Sequence, residues 1–143
     1  MYSYGMKFSV RVQYGMQAML ELALNSGSGP IQISDIAREQ KIPIRYLEQI
    51  LLVLKRSGLV LSTRGKNGGY TLSTRSSEIS VLQIIESMEG PLELTNKKMK
   101  KFAVLFDAFN KIQNNIKKEL ANLSLEELAF RKRQQDMAIN YNI

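Results

Sequence analysis

Between Pro43 and Ser73 the chain spells out a helix followed by a hairpin, and that order limits the fold more than any other stretch. Pro43 stands at a first helical position, a helix is predicted over 44–57, and Gly58 closes it. Leu47, Ile50, Leu51 and Leu54 recur on one face, which reads as the buried side. Arg45, Glu48 and Gln49, toward the N-terminal end, are left largely free of that face. Residues 59–63 and 70–73 are β-prone runs joined by Arg64-Gly65-Lys66-Asn67-Gly68-Gly69, a hairpin with a glycine-rich tip.

Upstream, residues 9–25 place Val10, Tyr14, Leu20, Leu24 and neighbouring Met and Ala residues at helical spacing, and Gly27-Ser28-Gly29-Pro30 ends that helix. Ile31 and Ile33 flank Gln32 in a short alternating piece. Ser34 then stands where an N-cap belongs, before a short helix over 35–40. Two helices, a third helix and a hairpin in that order predict a mainly α fold with a small β-hairpin wing, a winged helix-turn-helix. In that arrangement the third helix offers side chains to a major groove while the hairpin reaches the neighbouring backbone or minor groove.

Charge supports that location. The chain carries 20 Lys and Arg against 13 Asp and Glu, with a net charge of +7, which points to a polyanionic partner. Residues 1–80 hold 10 basic and 5 acidic side chains, whereas 81–143 hold 10 and 8. Lys7, Arg11, Lys55 and Lys66 are candidate phosphate contacts, and Arg45 and Gln49 candidate base readers, since both side chains make bidentate contacts. Glu48 either accepts from a cytosine amino group or is a solvated helix charge. Tyr46 either touches DNA or packs its ring with the hydroxyl in water. Arg64, Lys66 and Asn67 gain their reading from standing on the wing, and Ser9 and Ser34 complete the DNA-contacting set.

Downstream, Ile79, Leu82, Ile85 and Met88 predict a fourth helix stopped by Gly90-Pro91, and a lysine-rich linker follows over 92–101. Phe102, Leu105, Phe106, Phe109, Ile112, Ile116, Leu120 and Leu123 then recur at three- and four-residue steps over about six turns of helix. A stripe that long needs a partner surface and reads as a homodimerisation element, with core of the same chain as the alternative; a two-fold dimer would match a palindromic operator. Ser124 with Glu127 is a capping-box pattern that starts a last short helix over 125–133. The expected division is a DNA-binding domain over 1–91, a linker over 92–101, and a dimerisation helix with the C-terminal segment over 102–143.

The chain contains no cysteine and no histidine, which removes thiolate and imidazole metal sites, disulfides, cysteine nucleophiles and histidine-based triads. The loop 65–69 lacks the lysine, Ser/Thr and helix that follow in a P-loop. The expectation is therefore no enzyme and no cofactor. The apolar run 50–54, which no other run exceeds, is far short of a spanning helix, and residues 1–5 show no charged and apolar leader pattern, so a cytoplasmic compartment and no membrane partner are expected. The competing reading is a winged-helix protein-interaction module without DNA binding, which the basic wing argues against.

Lys7-Phe8-Ser9, Tyr14-Gly15, Ile36-Ala37, Tyr46-Leu47-Glu48-Gln49-Ile50-Leu51, Gly58-Leu59-Val60, Arg64-Gly65 with Gly68-Gly69-Tyr70, and Glu89-Gly90-Pro91 together resemble the Rrf2 family of bacterial transcription regulators. The resemblance implies a winged helix-turn-helix with a long dimerisation helix, and sequence-specific DNA binding, usually repression. Iron–sulfur members carry three cysteines after the Glu-Gly-Pro block, and residues 92–105 contain none here. The chain thus resembles the cluster-free branch, which includes regulators of cysteine metabolism that respond through the enzyme cysteine synthase. The ending Asn140-Tyr141-Asn142-Ile143 fits such a partner, with Tyr141 and Ile143 as the candidate docking residues and the terminal carboxylate imitating an amino-acid substrate.

Overall fold

The computed structural model describes residues 8–141. In chain order it holds α1 (Val10–Leu24), α2 (Ile33–Gln40), α3 (Ile44–Arg56), β1 (Val60–Thr63), β2 (Gly69–Leu72), α4 (Val81–Glu89), α5 (Ala103–Asn122) and α6 (Leu125–Tyr141). Short 3-10 turns at Ser76–Glu78 and Lys97–Lys101 connect the later elements. The predicted mainly α fold with a β-hairpin wing is the fold observed.

Local chemistry sets the element ends. Ser9 caps α1 by accepting the Val12 amide, and its hydroxyl donates to the Glu89 carboxylate at the far end of α4. Ser80 and Gln83 close a full capping box on α4, each satisfying the other's free amide. Between α2 and α3 the chain turns through Lys41 in the left-handed region, at φ 54°. That turn is held from behind, because Gln17 donates to the Gln40 carbonyl at 2.9 Å and Gln40 donates to Glu21 at 2.7 Å.

β1 and β2 pair antiparallel, Val60 opposite Leu72 and Thr63 opposite Gly69. Ile31 adds a one-residue third rung: its amide donates to the Tyr70 carbonyl at 3.0 Å and its carbonyl accepts the Tyr70 amide at 2.8 Å. A second rung between distant segments joins Ser80 and Ser124, with Val81 N–H to Leu123 O and Leu125 N–H to Ile79 O, both at 2.8 Å. One core serves all of these parts, from Met19, Ile36, Leu47, Leu51 and Leu54 to Ile84, Leu125 and Ala129.

Several elements differ from the sequence reading. The buried face of α1 is Val12, Gly15, Ala18, Met19, Leu22 and Ala23, while Val10 is 59% exposed and Tyr14, Leu20 and Leu24 are half-buried. Ser34 lies inside α2 instead of capping it; Gln32 takes the cap position, because the Ile31–Tyr70 rung fixes where the chain enters the helix. Pro43 is likewise the cap of α3, one residue before the first helical position. The Ser124 box is half-formed: its hydroxyl accepts the Glu127 amide, but the Glu127 carboxylate pairs with Arg131 at 3.1 Å. The final helix continues to Tyr141, well past residue 133, so Tyr141 ends a helix and not an extended tail. The stretch 92–101 is tied down at two points, Leu92 N–H to Glu86 and Leu94 N–H to the buried Gln113 side chain at 2.6 Å.

Candidate nucleic-acid interface

The buried face of α3 dictates what its other side offers. Leu47, Ile50, Leu51 and Leu54 are at most 3% exposed, which fixes the roll of the helix and turns Arg45, Tyr46, Glu48, Gln49 and Lys55 outward to solvent. Arg45 lies against Tyr46, its guanidinium carbon 5.0 Å from the ring centroid and one nitrogen 3.4 Å from the hydroxyl. Tyr46 in turn sits 6.4 Å, centroid to centroid, from Tyr14 of α1. This aromatic pair props the first turn of α3, so Tyr46 both packs on a neighbour and keeps about half its surface in water, 47%.

The wing stands beside that helix on three attachments. Leu59 N–H donates to Leu54 O and Ser73 Oγ to Gly58 O, which holds the base of the hairpin to the end of α3. Ile31 pairs with Tyr70 on the outer strand. Gln32 reaches the tip, donating to the Lys66 carbonyl at 3.2 Å. Gly69, at φ 142°, lets the strand approach closely: a Cβ there would collide with the Ile31 carbonyl. Arg64, Lys66 and Asn67 project from the tip and are exposed.

Among the described residues, the ion pairs are Arg38 with Asp35 and Glu39, Arg131 with Glu127, and Lys132 with Asp136. Arg11, Arg45, Lys55, Arg56, Arg64 and Lys66 therefore keep their charge unpaired there, as an anion-binding surface requires. Ser9 and Ser34 are exposed, but the Ser9 hydroxyl is already engaged by Glu89 and by the α1 cap. Lys7 and Ile143 lie outside the described residues. Gln32 and Arg56 also stand exposed on this face, and no sequence motif marks them; Gln32 shows its role only through pairing with a loop 34 residues away.

Away from α3, the stripe on α5 is turned to solvent. Phe102 is 61% exposed, Leu105 52%, Phe109 41%, Ile112 47% and Ile116 38%, while Phe106, Leu120 and Leu123 are half-buried. Tyr141, at the end of α6, is 94% exposed.

A family model described as Rrf2, iron-dependent transcriptional regulator, matches residues 8–131. The chain belongs to the Rrf2 family. Within it, CymR of Bacillus subtilis is 34% identical over 124 residues, 87% of this chain and 90% of CymR. The solved structure of CymR, the global cysteine regulator of B. subtilis, matches with a TM-score of 0.75 and 33% identity over 89% of this chain and 98% of that one. IscR, a helix-turn-helix transcriptional regulator of Cronobacter sakazakii, is 39% identical over 90 residues, 63% of this chain and 56% of IscR. Protein rrf2 of Nitratidesulfovibrio vulgaris is 37% identical over 91 residues, 62% of this chain and 61% of that protein. The match to this chain thus spans about three-fifths of each of the last two proteins.

The iron in the family's description does not fit the donors available. There is no cysteine or histidine in the sequence, and the stretch between α4 and α5 offers Glu93, Thr95, Asn96, Met99 and four lysines. Among the described residues no three carboxylates gather where they could share an ion. Oxygen, amine and thioether groups do not make the ligand set of an iron–sulfur centre.

Proposed function

We propose that this chain is a sequence-specific DNA-binding transcription regulator, a repressor acting as a homodimer on a palindromic operator. The observation that carries the reading is the pairing of a solvated polar end on α3 with a basic wing tethered beside it. In this reading α3 enters the major groove, where Arg45 and Gln49 read base edges and Glu48 accepts from a cytosine amino group. Tyr46 positions Arg45, while Lys7, Arg11, Lys55 and Lys66 hold phosphates, with Arg64 and Asn67 contacting DNA from the wing and Ser9 and Ser34 beside it. Residues 1–91 form the DNA-binding part, 92–101 the linker, and 102–143 the dimerisation part, whose α5 stripe meets a second copy. The protein works in the cytoplasm without catalysis; among the described residues no helix is long and apolar enough to cross a membrane.

The likeness to CymR supports a role in cysteine or sulfur metabolism, with cysteine synthase as the partner that reads the signal. Tyr141 and Ile143 would insert into the synthase, and O-acetylserine, competing for the same site, would release them. The exposure of Tyr141 favours this reading.

The test of DNA recognition is a gel shift on the chain's own promoter and on random DNA. Arg45→Ala and Gln49→Ala should each cost about 1–3 kcal/mol on the promoter and relax base preference. Equal losses on both DNAs would reduce the two side chains to backbone contacts, and no promoter binding by the intact protein would defeat the proposal in favour of an interaction module.

A further inference from the structure

Between the start of α1 and the outer side of α3 lies an open groove of about 610 Å³. Val10, Tyr14, Tyr46 and Val53 give it an apolar wall, and Arg11 and Arg56 stand in its lining with no carboxylate among the residues that form it. Neither guanidinium is ion-paired among the described residues. The volume falls in the range of about 300–1,000 Å³ usual for small-molecule sites, and apolar walls with a few convergent polar groups are their common composition. Gln49 lines the same groove.

We propose that this groove binds a small organic anion, an acid with an aromatic or branched apolar body, whose charge is held by Arg11 and Arg56 and whose body lies along Tyr14, Tyr46 and Val53. The occupant is anionic because two unpaired guanidiniums face an acid-free lining. Resting on the DNA-binding reading above, the site is also regulatory. The bound anion takes up Gln49, which reads bases, and Arg11, which holds a phosphate, so anion and operator compete. A regulator without thiol or imidazole gains a chemical input at its reading helix.

The probe is 8-anilinonaphthalene-1-sulfonate, with its uncharged relative N-phenyl-1-naphthylamine as control, both followed by fluorescence on the intact chain without DNA. The sulfonate should saturate at one per chain. Arg11→Gln with Arg56→Gln, which keeps the apolar wall of Val10, Tyr14, Tyr46 and Val53 in place, should weaken it about fivefold, as expected for two exposed ion pairs, and leave the neutral probe nearly unchanged. Val53→Asp should weaken both probes. Saturating sulfonate should also weaken promoter binding by the unaltered protein. Equal sulfonate affinity in the arginine double variant would overturn the site. Sulfonate binding confined to protein diluted into monomers would overturn it too, by showing that a second copy fills the groove. Binding that leaves promoter affinity untouched would remove the competition, whereas failure of promoter binding without any probe would count against the DNA reading and leave the fluorescence result to stand.

Discussion

Replacing Gly69 by alanine should separate the tethering of the wing from ordinary backbone strain. Gly65 and Gly69 both hold positive φ, 107° and 142°, so alanine at either position carries a strain of about 1–3 kcal/mol. At Gly65 nothing lies within 4 Å of the added methyl group, and the loss ends there. At Gly69 the methyl would strike the Ile31 carbonyl and the Gln32 amide, so the strand must withdraw. Withdrawal breaks the two Ile31–Tyr70 backbone bonds, each worth about 0.5–1.5 kcal/mol net, which adds about 1–3 kcal/mol. Urea unfolding at one fixed protein concentration, followed by circular dichroism, measures both variants against the parent. Gly69→Ala should be the less stable by that increment and should bind promoter DNA more weakly than Gly65→Ala, since the wing has lost its brace. Equal stability losses at the two positions would refute the claim that the Ile31 rung fixes the wing.

Glutamate at both Phe109 and Ile112 should give monomers in sedimentation while helix content holds, because both side chains already face solvent within one chain; each buries about 1.5–3 kcal/mol if a second copy covers it. A persistent dimer would move the interface elsewhere. Protein purified anaerobically should be colourless and bind DNA alike with and without oxygen; stoichiometric iron and sulfide would contradict the donor argument. Deleting Ile143 should abolish calorimetric binding to cysteine synthase and leave the dimer intact, and undiminished binding by the truncated chain would end the docking reading.

What the sequence made legible was local. Leu47, Ile50, Leu51 and Leu54 declare the buried face of α3 by spacing alone, and the wing shows in its glycines. The buried face of α1 was hidden because Gly15 and Ala18 are small: a hydrophobic pattern does not weigh residues buried for their lack of bulk, and Gly15 packs against Met88, whose sulfur would lie 2.9 Å from an added Cβ. The far half of α6 is polar and reads as a tail. It is helical in the structure, where Lys132 pairs with Asp136 at 2.9 Å and Arg133 donates to the Ala23 and Leu24 carbonyls at the end of α1. The Ile31–Tyr70 and Ser80–Ser124 rungs join segments about 40 residues apart, and no local pattern encodes such pairings. For the same reason the sequence marks single polar side chains of α3 and the wing as candidates, but encodes neither the Gln32 brace nor the groove beside Gln49.

The central claim, that this surface holds DNA phosphates around a base-reading helix, is tested most directly by promoter affinity as a function of salt. If Lys7, Arg11, Lys55 and Lys66 hold phosphates as proposed, the proposed dimer makes eight such contacts, and at about −0.9 per contact the plot of log affinity against log salt should fall with a slope near −7. Lys66→Gln should flatten that slope by about 2 and weaken promoter and random DNA alike. An affinity that does not change with salt would contradict the account.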